Sequence, residues 1–161
     1  MSVATLLPAA CAGFLLAVLW MDLIFDVQVV AHRRSLGDLP ESVLASIAGY
    51  YRRATTRPMS MLIAVVMLIA VVMLMLLAAL AVRGASGDPG WLIATWAALA
   101  GGPILLALIR TVPNAVRLGR RADTVADQSR LARAIFRDHV VCFALMLAFL
   151  GLWLAAASLR L

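Results

Sequence analysis

The sequence predicts an all-α fold, a four-helix transmembrane bundle with amphipathic helices in its two cytoplasmic arms. Three observations lead to this prediction. Apolar residues make up 65% of the 161 residues, and the mean hydropathy is +1.01, whereas a soluble domain is roughly 45–50% apolar. The apolar residues fall into four segments, each near the roughly 20 residues that cross a hydrocarbon core. Nearly all of the basic residues lie in two of the connections between those segments.

The four predicted spans divide a single domain, residues 1–161, into membrane segments and arms. The spans cover residues 5–30, 61–82, 91–109 and 140–159, and the arms cover residues 31–60 and 110–139. Residues 83–90 form a turn rich in Gly, Pro and Ser, in which only Arg83 and Asp88 are charged. This composition predicts a tight hairpin between the second and third spans.

The distribution of arginine predicts the orientation in the membrane. Of the 14 basic residues, all are Arg and twelve lie in the arms. They are Arg33, Arg34, Arg52, Arg53 and Arg57 in the first arm and Arg110, Arg117, Arg120, Arg121, Arg130, Arg133 and Arg137 in the second. The positive-inside rule then puts both arms in the cytoplasm and both termini outside. The use of Arg to the exclusion of Lys is typical of a GC-rich bacterial genome, so we expect a multi-pass protein of the inner membrane.

The formal net charge of +6 raises the question of what the protein binds. Because the Arg residues flank hydrophobic spans, we expect the bilayer and anionic lipid headgroups as partners rather than nucleic acid. Small residues in the third span, Ala97, Ala98, Gly101 and Gly102, favour close helix association and a homo-oligomer. No motif in the sequence assigns a cofactor.

The first arm contains the pattern of an amphipathic helix. Asp38 as N-cap, Pro40 in the first turn and Glu41 closing a capping box predict the helix start. Apolar and aromatic residues then recur on one face: Leu39, Val43, Leu44, Ile47, Tyr50 and Tyr51. This face lies either on the membrane surface or against the other arm, and the sequence does not distinguish the two.

In the second arm, we expect Pro113 to kink or end the third helix. The polar stretch that follows, residues 114–138, suits a solvated helical face. If the last helix begins near Thr124 instead of Val140, it projects roughly 20–25 Å beyond the bilayer.

Polar residues inside the spans mark the candidate functional site. Asp22 and Asp26 share one face of the first helix near its cytoplasmic end. Other elements contribute polar residues at the same level: Arg57, Arg110, Asn114, Asp138, His139 and Cys142. We therefore predict a polar cluster at the cytoplasmic mouth, with His139, Asp22 and Asp26 as candidate catalytic residues and Arg57, Arg110 and Asn114 as candidate binding residues.

Three interpretations of this cluster remain open at the level of sequence. In the first, Asp22 and Asp26 neutralise Arg57 or Arg110 and hold the helices together. In the second, the cluster is a site, either for a metal held by carboxylates with His139 and Cys142 or for an apolar substrate with His139 as general base. In the third, both carboxylates titrate along an ion or proton route. A structural or partner-binding role is the default, and whether the protein is an enzyme stays open.

Three short motifs carry a resemblance to a known family: Tyr50-Tyr51-Arg52-Arg53, Arg57-Pro58-Met59 and Thr111-Val112-Pro113-Asn114. With the order of spans and arms, they resemble the anthrone-oxygenase-like family of small four-span membrane proteins. The resemblance implies an oxygenase of apolar aromatic substrates in which Asn114 and His139 are the matching polar residues.

Overall fold

The computed structural model describes the backbone of residues 3–32, 37–56, 59–85 and 87–158, and the side chains of these residues except 3–5 and 55–68. Within these ranges every regular element is helical. The elements are α1 (Val3–Asp26), a 3₁₀ helix (Val27–His32), α2 (Glu41–Thr56), α3 (Met59–Ala85), α4 (Gly90–Leu106), a π-helical turn (Ala107–Thr111), α5 (Val112–Arg120) and α6 (Val125–Ser158). The predicted all-α class is confirmed.

Three stretches of the described chain are long and apolar enough to cross a membrane. They are Leu6–His32, Gly90–Arg120 and Val125–Ser158. The remaining long helix, α3, has 27 residues, and its sequence carries no charge before Arg83. Many large apolar side chains face outward, Ile109 among them at 75% exposed. Such a surface is far more apolar than a water-facing one and suits contact with lipid.

The bundle core forms where α1, α3, α4 and α6 meet. Trp96, Phe149 and Trp153 are its largest side chains and are almost wholly buried. The helices approach closely where glycine faces a neighbour, as at Gly102, where an added Cβ would lie 3.8 Å from the side chain of Leu145. This core occupies the part of the bundle that lies away from the two arms.

A second core lies beyond one end of the bundle. We call this region the arm layer and define it as α2, α5 and residues 125–139 of α6. Its buried side chains come from all three: Leu44, Ile47, Ala48, Tyr51, Ala115, Leu118, Leu131, Ala132 and Ile135, with Leu39 from the segment before α2 and Val29 from the 3₁₀ helix. The predicted apolar face of α2 is therefore buried against the other arm, which decides between the two alternatives that the sequence left open.

Close packing and side-chain hydrogen bonds hold the arm layer together. At Gly119 an added Cβ would lie 3.1 Å from the backbone nitrogen of Arg52, so α2 and α5 touch backbone to backbone. The hydroxyl of Ser129 accepts a hydrogen bond from the backbone N–H of Leu39 at 2.8 Å. The helix start is displaced from the prediction: α2 begins at Glu41, and the carbonyl of Pro40, not Asp38, accepts the first helical hydrogen bonds.

Two connections are more continuous than expected. Pro113 does not end the third helix, which runs on through the π turn into α5. The N–H of Val112 bonds to the carbonyl of Ala107, five residues back, so the π turn adds one residue before Pro113. The proline is thereby accommodated within a continuous helix. Helix α6 begins at Val125, and at about 1.5 Å per residue its 34 residues extend about 50 Å, well beyond a bilayer core.

Candidate functional site

Five polar side chains meet where the bundle joins the arm layer. We call them the Asp–His–Tyr cluster: Asp22 and Asp26 from α1, Tyr50 and Tyr51 from α2, and His139 from α6. Asp22 and Asp26 are one helical turn apart and therefore face the same side of α1. The sequence predicts that the two carboxylates and His139 lie close together, and the structure brings them together.

Asp26 is the centre of the cluster and is 0% exposed. One carboxylate oxygen, Oδ2, lies 2.7 Å from Nδ1 of His139. The other, Oδ1, accepts a hydrogen bond from the hydroxyl of Tyr51 at 2.7 Å. Both oxygens are thus occupied by donors from different helices, which is the condition for keeping a carboxylate in an apolar interior.

Asp22 lies at the margin of the cluster, with 19% of its side chain exposed. Its Oδ1 accepts a hydrogen bond from the hydroxyl of Tyr50 at 2.6 Å. Its Oδ2 lies 3.8 Å from Nε2 of His139, close enough for charge attraction but beyond a direct hydrogen bond. The ring of Tyr50 stacks on Phe25 with centroids 4.1 Å apart, which fixes the direction of its hydroxyl.

The two tyrosines act as neutral donors. Burial raises the pKa of Tyr50 and of Tyr51 well above the ordinary value, and the adjacent carboxylates raise it further. Two carboxylates then face one imidazole. With His139 protonated the cluster carries one net negative charge, and the uptake of one more proton would neutralise it.

Asp138 and Arg110 form a separate ion pair beside the cluster. Nε of Arg110 lies 3.1 Å from Oδ2 of Asp138, and the Asp138 side chain is almost fully buried. Arg110 sits in the π turn, whose extra residue changes the direction in which side chains leave the helix. The expectation that Arg110 neutralises Asp22 or Asp26 is therefore wrong. Those carboxylates are paired with imidazole and phenol groups instead.

The remaining candidates lie apart from the cluster or outside the described residues. Arg57, predicted as a binding residue and as a carboxylate partner, lies outside the described residues. Asn114 is half-buried in the first turn of α5 and takes no part in the hydrogen bonds that the structure describes for the cluster. Cys142 is buried, and its thiol lies 3.7 Å from the carbonyl of Pro103, to which it donates. Among the described residues, no three His, Cys, Asp or Glu side chains are arranged to hold a metal ion.

The roles of Tyr50 and Tyr51 were not predicted from the sequence, whose pattern placed them only on the apolar face of α2. A buried tyrosine hydroxyl nearly always has a partner. The sequence did contain a signal for these hydrogen bonds. Two consecutive tyrosines lie on the apolar face of α2, and two carboxylates lie near the end of the first predicted span.

The opposite end of the bundle holds a second buried charge. Arg83 forms an ion pair with Asp88 at 2.9 Å, and its guanidinium lies 5.5 Å and 5.0 Å from the ring centres of Trp96 and Trp153. The hairpin between α3 and α4 is thereby tied to the bundle core by charge and cation–π contacts.

Comparison of the chain with family models, with curated proteins and with solved structures gives no match in any of the three. The resemblance to the anthrone-oxygenase-like family therefore stays a prediction.

Proposed function

We propose that this protein is a four-helix transmembrane protein of the bacterial inner membrane that carries a cytoplasmic helical platform for structural or partner-binding roles. In this proposal α3 is the fourth span, both termini are outside, and the arm layer is the platform. The Asp–His–Tyr cluster fixes the platform to the bundle.

The proposal depends on one observation: the polar groups of the cluster serve as hydrogen-bond or charge partners for one another. Asp26 accepts hydrogen bonds through both oxygens, and both ring nitrogens of His139 face carboxylates. The donors and acceptors come from α1, α2 and α6, so the cluster ties two bundle helices to the arm layer. Breaking such a buried arrangement by removing one partner costs about 3–5 kcal/mol. A group engaged in this way stabilises an assembly more readily than it binds a substrate.

Cysteine labelling tests the proposed topology. The two native cysteines are buried and can be replaced by alanine to remove background. Ala85→Cys, at the hairpin, and Ala122→Cys, in the turn between α5 and α6, are both exposed positions. We expect a membrane-impermeant maleimide to label Ala85→Cys in intact cells and Ala122→Cys only after permeabilisation. Labelling of Ala122→Cys from outside would reverse the orientation.

Limited proteolysis tests the role of the cluster. The arm layer is rich in Arg, so trypsin reports how firmly it is held. We expect Asp26→Asn to accelerate cleavage within the arm layer more than Asp127→Asn, which alters only an exposed ion pair and a hydrogen bond with Thr124 at the start of α6. Equal cleavage rates in the two variants would contradict the proposal that the cluster fixes the arm layer to the bundle.

The cluster has two carboxylates and only one imidazole. This imbalance favours a second candidate function, proton-coupled transport. Asp22 is partly exposed and has an oxygen 3.8 Å from His139, so a proton can reach the cluster from the surface. In proteoliposomes with an imposed pH gradient, this candidate predicts a proton flux that Asp22→Asn abolishes. The platform proposal predicts equal flux for the wild type and the variant.

An oxygenase function, which the family resemblance implies, requires His139 to approach a substrate. His139 is only 7% exposed and its ring lies between two carboxylates. This surrounding supports the platform proposal over a general base in contact with an apolar substrate.

A further inference from the structure

A surface groove runs between α2 and α5 on the arm layer, away from the Asp–His–Tyr cluster. Its volume is about 230 Å³, and small residues form its floor, among them Ala48, Gly49 and Gly119. The groove exists because the two helices touch at Gly119, where no side chain separates the backbones. We call it the arm groove.

Three arginines line the arm groove: Arg52 from α2, Arg120 at the end of α5 and Arg121 directly after it. Arg121 is bridged to both carboxylate oxygens of Glu41 at 2.7 Å. Within the described part of the chain, no ion pair neutralises Arg52 or Arg120. The groove therefore has two positive charges without an ion-pair partner among the described residues. The side chains between them are too small to block the entry of an anion.

The backbone at Arg121 also favours a role for its side chain. Arg121 follows α5 in the left-handed conformation, with φ of 52°, where glycine is the usual residue. An arginine held there at the expense of backbone strain directs a guanidinium to the rim of the groove. The ion pair with Glu41 holds the Arg121 side chain in place. It leaves Arg52 and Arg120 available to bind an anion.

We propose that the arm groove binds a phosphate group. Guanidinium groups match the oxygens of phosphate with paired hydrogen bonds, and the small residues leave the groove open to the anion. Headgroups of anionic phospholipids and soluble phosphorylated molecules share this chemistry. Because α5 continues a membrane-length helix, both sources can reach the groove.

The test uses the full chain with two matched pairs of substitutions. Arg52→Gln/Arg120→Gln removes the two uncompensated charges of the groove, and Arg130→Gln/Arg137→Gln removes two exposed charges of α6 that lie outside it. Thermal unfolding is measured in neutral detergent with increasing inorganic phosphate, against chloride at equal ionic strength. It is repeated in vesicles of phosphatidylcholine alone and with phosphatidylglycerol.

We expect phosphate to raise the midpoint of unfolding of the wild type and of the α6 variant. In the groove variant the phosphate concentration needed should increase about tenfold or more, because the loss of even one charged hydrogen bond weakens binding by about that factor. Gly49→Leu provides an independent variant that keeps every Arg. Gly49 lines the groove and nothing lies within 4 Å of an added Cβ there, so the leucine should occupy part of the groove and also weaken binding.

The vesicle measurements identify the source of the phosphate. Protection by phosphatidylglycerol and not by inorganic phosphate, lost in the groove variant and in Gly49→Leu, assigns the groove to a lipid headgroup. Protection by both probes assigns it to phosphate in general. Equal losses in the groove and α6 variants, or no protection of the wild type by either probe, would overturn the proposal.

Discussion

Replacing Asp26 by alanine should be the most destabilising single change in the described polar residues. The substitution leaves two buried donors, the hydroxyl of Tyr51 and the ring of His139, without the acceptor they share. Each unsatisfied group costs about 1–3 kcal/mol, and breaking a buried charged pair costs about 3–5 kcal/mol in total. Since whole domains are stable by only about 5–15 kcal/mol, the loss is a large share of the free energy of unfolding.

The assay is thermal unfolding of the purified chain in detergent, followed by far-ultraviolet circular dichroism. For a chain of this size, a loss of 1 kcal/mol lowers the midpoint by about 2–4 °C, so Asp26→Ala should lower it by roughly 10 °C. Asp26→Asn keeps one acceptor oxygen and should fall between the wild type and Asp26→Ala. Asp127→Ala, which removes an exposed ion pair with Arg130 and a hydrogen bond from the hydroxyl of Thr124 at the start of α6, is the control and should lower the midpoint by only about 2–4 °C. If Asp26→Ala unfolds at the same temperature as Asp127→Ala, the buried cluster does not stabilise the fold.

Three further changes have defined outcomes in the same unfolding assay. Tyr51→Phe removes one hydroxyl donor from the buried carboxylate and should cost about 1–2 kcal/mol, and no change would mean that the hydrogen bond is absent. Gly119→Leu forces a side chain against the α2 backbone, 3.1 Å from the position of its Cβ, and should cost about 1–3 kcal/mol, whereas Gly49→Leu has open space and should cost much less. The hydrogen bond from Arg117 lowers the pKa of Asp123 below its ordinary 3.8, so the pair stabilises the fold above that pH and loses the effect as the pH falls through the folded-state pKa. The difference in midpoint between the wild type and Arg117→Gln should therefore be small at neutral pH and absent in strong acid, and a difference that persists in acid would contradict this account.

Much of the fold follows from patterns that are local along the chain. The hydropathy of α1, α4 and α6 predicts helices that cross a membrane, since length and apolar content decide whether a segment can do so. The face of α2 could be read in the same way, because a 3.6-residue period shows which side chains must be covered. What covers that face could not be predicted, because a membrane surface and a neighbouring helix both require the same stripe of apolar side chains.

The candidate site was predicted less completely than the fold. Counting residues along each predicted span places Asp22, Asp26 and His139 at the same depth in the bundle. Their partners could not be assigned by counting, since Arg110 and the two tyrosines were equally within reach. The π turn before Pro113 redirects Arg110 to Asp138, and the docking of α2 delivers the tyrosines.

The sequence by itself determined the all-α class, the membrane-length helices and the amphipathic character of α2, because each depends on composition and period within one segment. Only the tertiary structure decided that α2 packs on α5, that α6 is one helix from Val125, and that Asp26 is shared by Tyr51 and His139. These depend on angles and distances between segments far apart in the chain. A buried carboxylate requires donors, and which donors it finds is fixed by how the helices dock.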